Sequence, residues 1–368
     1  MFHSITMSPI IKGLLFSIIA YSASLLGPFY MLCPLMPLMI LNPPVYRRLT
    51  DIMISMWSTL VVMLMDKLGN IKVVITGDAV DCSEASLIIM NHRTRLDWLY
   101  FFTCMQRFGS PRALKVMLKK PLKYVPGAGW AMQIGQFIFV HRKWEIDRMV
   151  FDKILSYFID IDYKPQILLF PEGTDFSEKT RESSNRFAAK NGLLPYDYVL
   201  HPRTTGFSFM IDKMRTGDML DAVYDVTVGY PRNIPHGELD IVTGKFAKEV
   251  HFHIQRHDPH MLPTDQTQLA EWCMNRWQEK EQVLQQFYQD KQFNHPSPPV
   301  IDTEPIMQQT AIFWIITMTM ALVTIYLLSV ARWYCLLCIL CHVIAEQKFS
   351  GFDLLQVNIY NRLFKRRN

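Results

Sequence analysis

Between Lys12 and Arg47 the chain has no aspartate, glutamate, lysine or arginine, an uncharged stretch of 34 residues. A helix needs about 20 such residues to cross a bilayer, so a fully water-exposed N-terminal segment is excluded. A second uncharged stretch follows Glu304 and reaches Ala331, 27 residues, and Arg332 separates it from 13 more ending at Ala345. A disulfide framework is also missing. The seven cysteines are odd in number and three lie in the apolar tail, which implies reduced thiols and a cytosol-facing folded domain. No Gly-x-Ser-x-Gly elbow is present, which removes the common strand-to-helix serine nucleophile. Strong charge of one sign is absent as well. A net +5 over 368 residues does not indicate a nucleic-acid binder, though it leaves room for a basic face toward anionic lipid headgroups. No internal repeat is evident.

What is present is apolar bulk, 50% of the residues, at the upper edge for a soluble protein. Gly13 to about Tyr30 reads as a spanning helix rather than a cleaved signal, since Pro28, Pro34 and Pro37 break the run where a processing site would lie. Arg47-Arg48 is expected to mark the cytosolic side. Asp51 to Leu68, with about 14 uncharged residues, is expected in the interface or packed under the folded domain. The stretches after Glu304 predict a membrane hairpin with Arg332 snorkelling at its far end and Arg362, Lys365, Arg366 and Arg367 in the cytosol. Cys335, Cys338 and Cys341 on that hairpin suit packing or palmitoylation rather than metal ligation.

From Ile71 the pattern is that of a water-soluble α/β domain. Lys72–Gly77, Ser86–Met90, Lys115–Leu118, Gln136–Val140 and Ile167–Phe170 read as strands, and residues 97–107 and 147–161 as helices. Such alternation predicts a mostly parallel sheet with helices on its faces, flanked by N- and C-terminal transmembrane helices. Residues 182–190 read as a helix stopped at Asn191-Gly192, Ala222–Tyr230 and Val250–Gln255 as further strands, and Thr264 as the N-cap of a long helix to about Asp290. The proline-rich stretch 294–299 reads as a stiff linker. The implied division is an anchor over 1–48, a catalytic domain over 49–245, a strand and long-helix extension over 246–300, and a membrane hairpin over 301–368. His251, His253, His257 and His260 lack a zinc spacing. They read as solvated strand histidines, and no metal is expected.

The chemistry concentrates in Asn91-His92-Arg93-Thr94-Arg95-Leu96-Asp97-Trp98, where a buried strand gives way to a helix. On a continuous helix five residues separate side chains by about 140°, so His92 and Asp97 pair only if His92 lies in the turn before it. Paired, the carboxylate fixes the imidazole tautomer and leaves the second nitrogen as a base. Unpaired, they are a surface histidine beside a helix-capping aspartate.

His92, four residues and Asp97 resemble the signature of the glycerolipid acyltransferases that include the 1-acylglycerol-3-phosphate acyltransferases. LKKPLKYVP over 118–126, GQFIFVHR over 135–142 and FPEGT over 170–174 match further blocks of that family, in its order. The resemblance covers roughly residues 45 to 290 and is nearest the lysocardiolipin and lysophosphatidylinositol branch, where NHRTR, FPEGTD and HPRTTGF recur. It implies acyl transfer from acyl-CoA, a co-substrate rather than a bound cofactor, to a glycerolipid hydroxyl in a membrane of the endoplasmic reticulum. His92 would be the base, Asp97 its orienter and Arg142 the ligand of the acceptor's phosphate. Gly173 permits a tight turn, Thr174 offers a hydroxyl, and Glu172 is expected to buttress the acceptor site or Arg142. Lys119, Lys120 and Lys123 are candidates for the CoA phosphates, and backbone N–H groups near Thr94 and Arg95 for the oxyanion. Where many phosphatidate-forming members carry Arg-Ser after FPEGT, this chain has Asp175-Phe176. That departure points to a lysophosphatidylinositol or lysocardiolipin acceptor over lysophosphatidic acid, with phosphatidate synthesis, a CoA-independent transacylase and a non-catalytic lipid-binding scaffold as the competing readings.

Overall fold

A computed structural model describes residues 7–365; Arg366 and Arg367, expected in the cytosol, lie outside the described residues. In chain order the helices are α1 Pro9–Gly27, α2 Leu38–Leu41, α3 Pro43–Leu64, α4 Asp97–Met105, α5 Ala128–Ile134, α6 Trp144–Asp160, α7 Glu178–Lys190, α8 Thr204–Thr216, α9 Glu238–Val242, α10 Gln266–Asp290, α11 Glu304–Leu327, α12 Ser329–Phe349 and α13 Phe352–Leu363. The strands are β1 Lys72–Gly77, β2 Ser86–Met90, β3 Leu114–Lys119, β4 Ile138–Val140, β5 Gln166–Leu169, β6 Ala222–Gly229 and β7 Glu249–His257.

The seven strands form one sheet in the order β1-β7-β6-β2-β5-β3-β4, parallel at every pairing except β6 with β7. β2 is apolar without alternation because both its faces are covered. Ile88 and Met90 join the core formed with α3 and α4, while Leu87 and Ile89 join the core formed with α6, α8 and α10. The carboxyl ends of the parallel strands β6, β2, β5, β3 and β4 open side by side, the edge where an open α/β sheet binds its ligands.

Two expected boundaries do not divide the fold. β7 is an inner strand of the sheet, paired on both sides, so residues 246–257 are not an extension of it. Residue 48 falls inside α3, and Arg47, expected at the aqueous edge, is fully buried. Its guanidinium meets Asp51 at 3.3 Å, and the Lys115 ammonium of β3 meets the same carboxylate at 2.6 Å. The Tyr163 hydroxyl donates to the other Asp51 oxygen at 2.5 Å. The polar half of α3 is therefore turned inward, onto the sheet domain.

Four helical segments are long and apolar enough to cross a membrane: Pro9–Leu35, Pro43–Gly69, Glu304–Leu327 and Ser329–Phe349. The second is more than half buried inside the protein, whereas α11 and α12 are mostly free of it. At their turn, Arg332 donates to the carbonyls of Ile325 and Tyr326, closing the end of α11. α1 presents Ile10, Ile11, Leu14 and Ile18 outward while Phe16, Ala23 and Leu26 dock inward. Its start touches Gly244, whose φ of +78° and absent side chain let Pro9 pass where a Cβ would meet the Pro9 carbonyl.

The C-terminal segments return to the domain. α10 is capped by Asp265, one residue beyond the expected Thr264, and buries Leu269, Trp277, Leu284 and Phe287 against the sheet. Its Lys280 is also buried, paired with Asp225 and donating to the Val226 carbonyl of β6 at 2.6 Å. α13, which the sequence pattern did not reveal, is tied down by Asp353 to Lys123 at 2.7 Å and by Gln136 donating to the Asp353 carbonyl at 2.7 Å.

Candidate active site

His92 lies in the turn after β2, and Asp97 is the first residue of α4. Being outside the helix, the imidazole turns back so that Nδ1 sits 3.0 Å from Asp97 Oδ2. Asp97 is fully buried and well supplied with donors, the Thr94 N–H at 2.9 Å on Oδ2 and the Tyr230 hydroxyl at 2.7 Å on Oδ1. A carboxylate held this way receives Nδ1–H and leaves Nε2 as the basic nitrogen. The ring stacks on Phe170 at 4.2 Å and lines a cavity of about 300 Å³. The Thr94 N–H, expected to help hold an oxyanion, is instead occupied by Asp97.

The FPEGT turn leaves β5 beside this histidine. Gly173 takes φ +72°, as a tight turn demands, and its carbonyl accepts from Arg142 Nη2 at 2.7 Å. Arg142 itself holds a left-handed φ of +60° after β4, an uncommon conformation for a side-chain-bearing residue at the mouth of a site. Arg142, Lys119, Gly173 and Arg203 line the same cavity as His92, with Trp144 and Phe207 on its apolar wall.

Glu172 points the other way. It is buried, its Oε1 accepting the His92 backbone N–H at 3.3 Å and the Trp277 indole N–H at 3.1 Å. It thus braces the His92 loop and not Arg142. Burial pushes its carboxyl up to about 8, which favours the protonated form at neutral pH. Thr174 and Lys120 are half-buried and do not line the cavity. Lys123 is excluded from CoA binding by its burial against Asp353. Asp175 bridges two cations, Lys119 Nζ at 3.2 Å and Arg95 Nε at 3.6 Å. Although partial burial works against its charge, the Lys119 ammonium holds the carboxyl below the usual range.

His251 and His253 are buried, not solvated. Burial, aided by the neighbouring His295, pushes His253 down to about 4. Among the described residues no group of three or more His, Cys, Asp or Glu side chains is placed to hold a metal. Sequence reasoning missed Tyr230 and Trp277. The first sits just past β6 and the second is one of several apolar residues on α10, so nothing in the local pattern separates either from ordinary core.

A parallel-sheet domain with a carboxylate-oriented histidine at its strand ends matches two family profiles, one described as Acyltransferase over residues 70–231 and one as Acyltransferase C-terminus over 240–315. The chain belongs to the acyltransferase family. It is 42% identical to lysocardiolipin acyltransferase 1 of Mus musculus over 362 residues, 96% of each chain. It is 43% identical to lysophosphatidylinositol acyltransferase 10 of Caenorhabditis elegans over 251 residues, 67% of this chain and 64% of that one. The crystal structure of the 1-acyl-sn-glycerophosphate acyltransferase from Thermotoga maritima superposes with a TM-score of 0.48 at 13% identity, over 76% of this chain and 97% of that one.

Proposed function

We propose that this acyltransferase moves a fatty acyl chain from acyl-CoA to the free hydroxyl of a lysophospholipid, with lysophosphatidylinositol or lysocardiolipin as acceptor. The observation that carries the reading is the His92–Asp97 pair at 3.0 Å on the wall of a cavity that also receives Arg142. The acceptor hydroxyl gives its proton to His92 Nε2 as its oxygen attacks the thioester carbonyl, a role worth about two to four orders of magnitude in rate. Asp97, held by Tyr230 and Thr94, stabilises the imidazolium that forms. The tetrahedral intermediate then collapses. The carbon–sulfur bond breaks, and the CoA sulfur leaves with the proton from His92. Arg142 and Lys119 supply cations for substrate phosphates, Arg142 in the bidentate manner of a guanidinium.

Transfer is direct. Cys104, on the helix that Asp97 opens, is fully buried, and burial pushes it, like Cys82 before the motif, well above the range in which it could act as a nucleophile. The apolar surfaces of α11, α12 and α1 hold the enzyme in a membrane of the endoplasmic reticulum, with the sheet domain facing the cytosol and its CoA pool. The names of the mouse and nematode relatives support the acceptor class. The testing experiment gives purified full-length protein a panel of labelled lysophospholipids, with and without acyl-CoA. Product formed equally with and without acyl-CoA would identify a transacylase, and phosphatidate as the dominant product would reverse the acceptor assignment.

A further inference from the structure

A second cavity, about 370 Å³, lies across Asp175 from the first, between the Arg93–Arg95 turn, the Asp175–Ser177 loop and α9 with the preceding His236. Asp175 lines the second cavity and is ion-paired to a residue of the first. Its Oδ1 faces Lys119, which lines the His92 cavity, and its Oδ2 faces Arg95, which lines the second. The Lys119–Asp175–Arg95 run of ion pairs joins the two cavities, so a ligand whose phosphate is held by Arg142 and Lys119 has its next group directed toward Arg95.

The lining selects what that is. Two arginines face three carboxylates, Asp175, Glu238 and Asp240, the last already 3.8 Å from Lys245. The wall is close to charge balance and has no surplus cation for another phosphate. It does offer donors and acceptors together, which suits hydroxyl groups, each of which both donates and accepts. Arg93 lies over the Phe176 ring at 4.2 Å and near Tyr288 at 5.6 Å, with one buried Nη lacking any partner among the described residues. The rim is apolar. Leu239 of α9 is 81% exposed, and α9 abuts the start of α1, whose Ile10, Ile11 and Leu14 face outward. Such a rim suits a lipid whose chains stay in the membrane and not the soluble nucleotide of CoA.

We propose that this cavity is the distal headgroup subsite and takes a polyhydroxylated ring attached to the acceptor's phosphodiester. The proposal rests on the acceptor reading given above and deepens it, favouring an inositol-type acceptor over one with a second phosphate.

The test is steady-state transfer by the full-length protein in mixed micelles with one acyl-CoA and three acceptors, lysophosphatidylinositol, lysocardiolipin and lysophosphatidic acid. Alongside it, glycerophosphoinositol, the soluble headgroup, is titrated into the same protein by calorimetry. Arg95→Gln alters a side chain 60% exposed, and Glu238→Gln gives an independent second variant. In each, the ratio of specificity constants for lysophosphatidylinositol over lysophosphatidic acid should fall by about tenfold, the scale of one lost charge-assisted hydrogen bond. The loss should come through KM for the acceptor, with KM for acyl-CoA unmoved, and glycerophosphoinositol binding should weaken in parallel. An unchanged ratio and unchanged binding overturn the proposal. So does a rise in KM for acyl-CoA with every acceptor, which would place the donor's nucleotide here, or a loss confined to lysocardiolipin, which would place a phosphate. If the wild type acylates no acceptor yet binds glycerophosphoinositol through Arg95, the transfer reading fails and the subsite stands.

Discussion

The Trp277 indole N–H donates to Glu172 at 3.1 Å, on the same oxygen that accepts the His92 backbone N–H. A helix some hundred residues downstream of FPEGT thereby sets the position of the base. Trp277→Phe removes the donor from a fully buried carboxyl, a deficit of about 1–3 kcal/mol. The expected result is a melting temperature lower by several degrees and kcat reduced about fivefold or more. A double-mutant cycle with Glu172→Met, which removes the acceptor, should show coupling of about 0.5–3 kcal/mol, and additivity of the two changes would remove Trp277 from the site.

Glu172 also predicts a pH dependence. Its folded-state value of about 8 stands above the ordinary 4.5, so between those pH values the folded protein holds a proton that the unfolded chain releases. The associated stability is fully present below about pH 4.5 and is lost as pH rises through 8. Melting temperatures measured from pH 6 to pH 8.5 should therefore fall more steeply in the wild type than in Glu172→Gln, which is neutral throughout. Parallel slopes would mean that Glu172 is ionised in the folded protein.

Tyr230→Phe deletes the hydrogen bond to Asp97 Oδ1 and leaves the His92 contact in place. Loss of a bond to a charged acceptor is worth about 1.5–3 kcal/mol, so kcat should drop about tenfold or more. The loss should appear in kcat with KM for acyl-CoA unmoved; a purely structural tyrosine would lower the melting temperature and leave kcat of the folded variant unchanged.

The Arg47–Asp51–Lys115 cluster joins α3 to the sheet, and Asp51→Ala leaves two buried cations facing each other. Breaking a buried pair costs about 3–5 kcal/mol. Detergent-solubilised Asp51→Ala should melt far below the wild type, whereas the joint change Asp51→Leu with Arg47→Met and Lys115→Met should recover much of the loss. Wild-type stability in Asp51→Ala would show α3 to be held by apolar packing alone.

How much of this was legible in the sequence follows from what kind of contact each feature makes. β2 and β5 could be read because burial on both faces leaves an unbroken apolar run, and His92 with Asp97 because one short turn contains both. The uncharged runs of α1 and α11 were legible from length alone. Arg47, Lys123 and Lys280 were not, since a cation reads as surface unless its burial is known: Asp353 and Asp225 lie in other elements, and Asp51, though on α3 with Arg47, is drawn inward by Lys115 of β3. Tyr230 and Trp277 act through hydrogen bonds across more than a hundred residues, and the periodicity that makes α10 a helix says nothing of which side chain carries a donor inward. β7 looked peripheral because sequence order does not reveal that its neighbours are β1 and β6.

The most direct test of the account is acyl transfer by purified full-length protein and by His92→Ala, with labelled acyl-CoA and lysophosphatidylinositol. His92 lies outside the apolar helices, its ring held by the Asp97 hydrogen bond and the stack on Phe170; Asp97 keeps its Thr94 and Tyr230 donors without it, so the variant should express and fold like the wild type. Its transfer rate should fall to about a hundredth or less of wild type, the share that a general base supplies. Retention of more than about a tenth of the rate by the folded variant would contradict the assignment of His92 as the base.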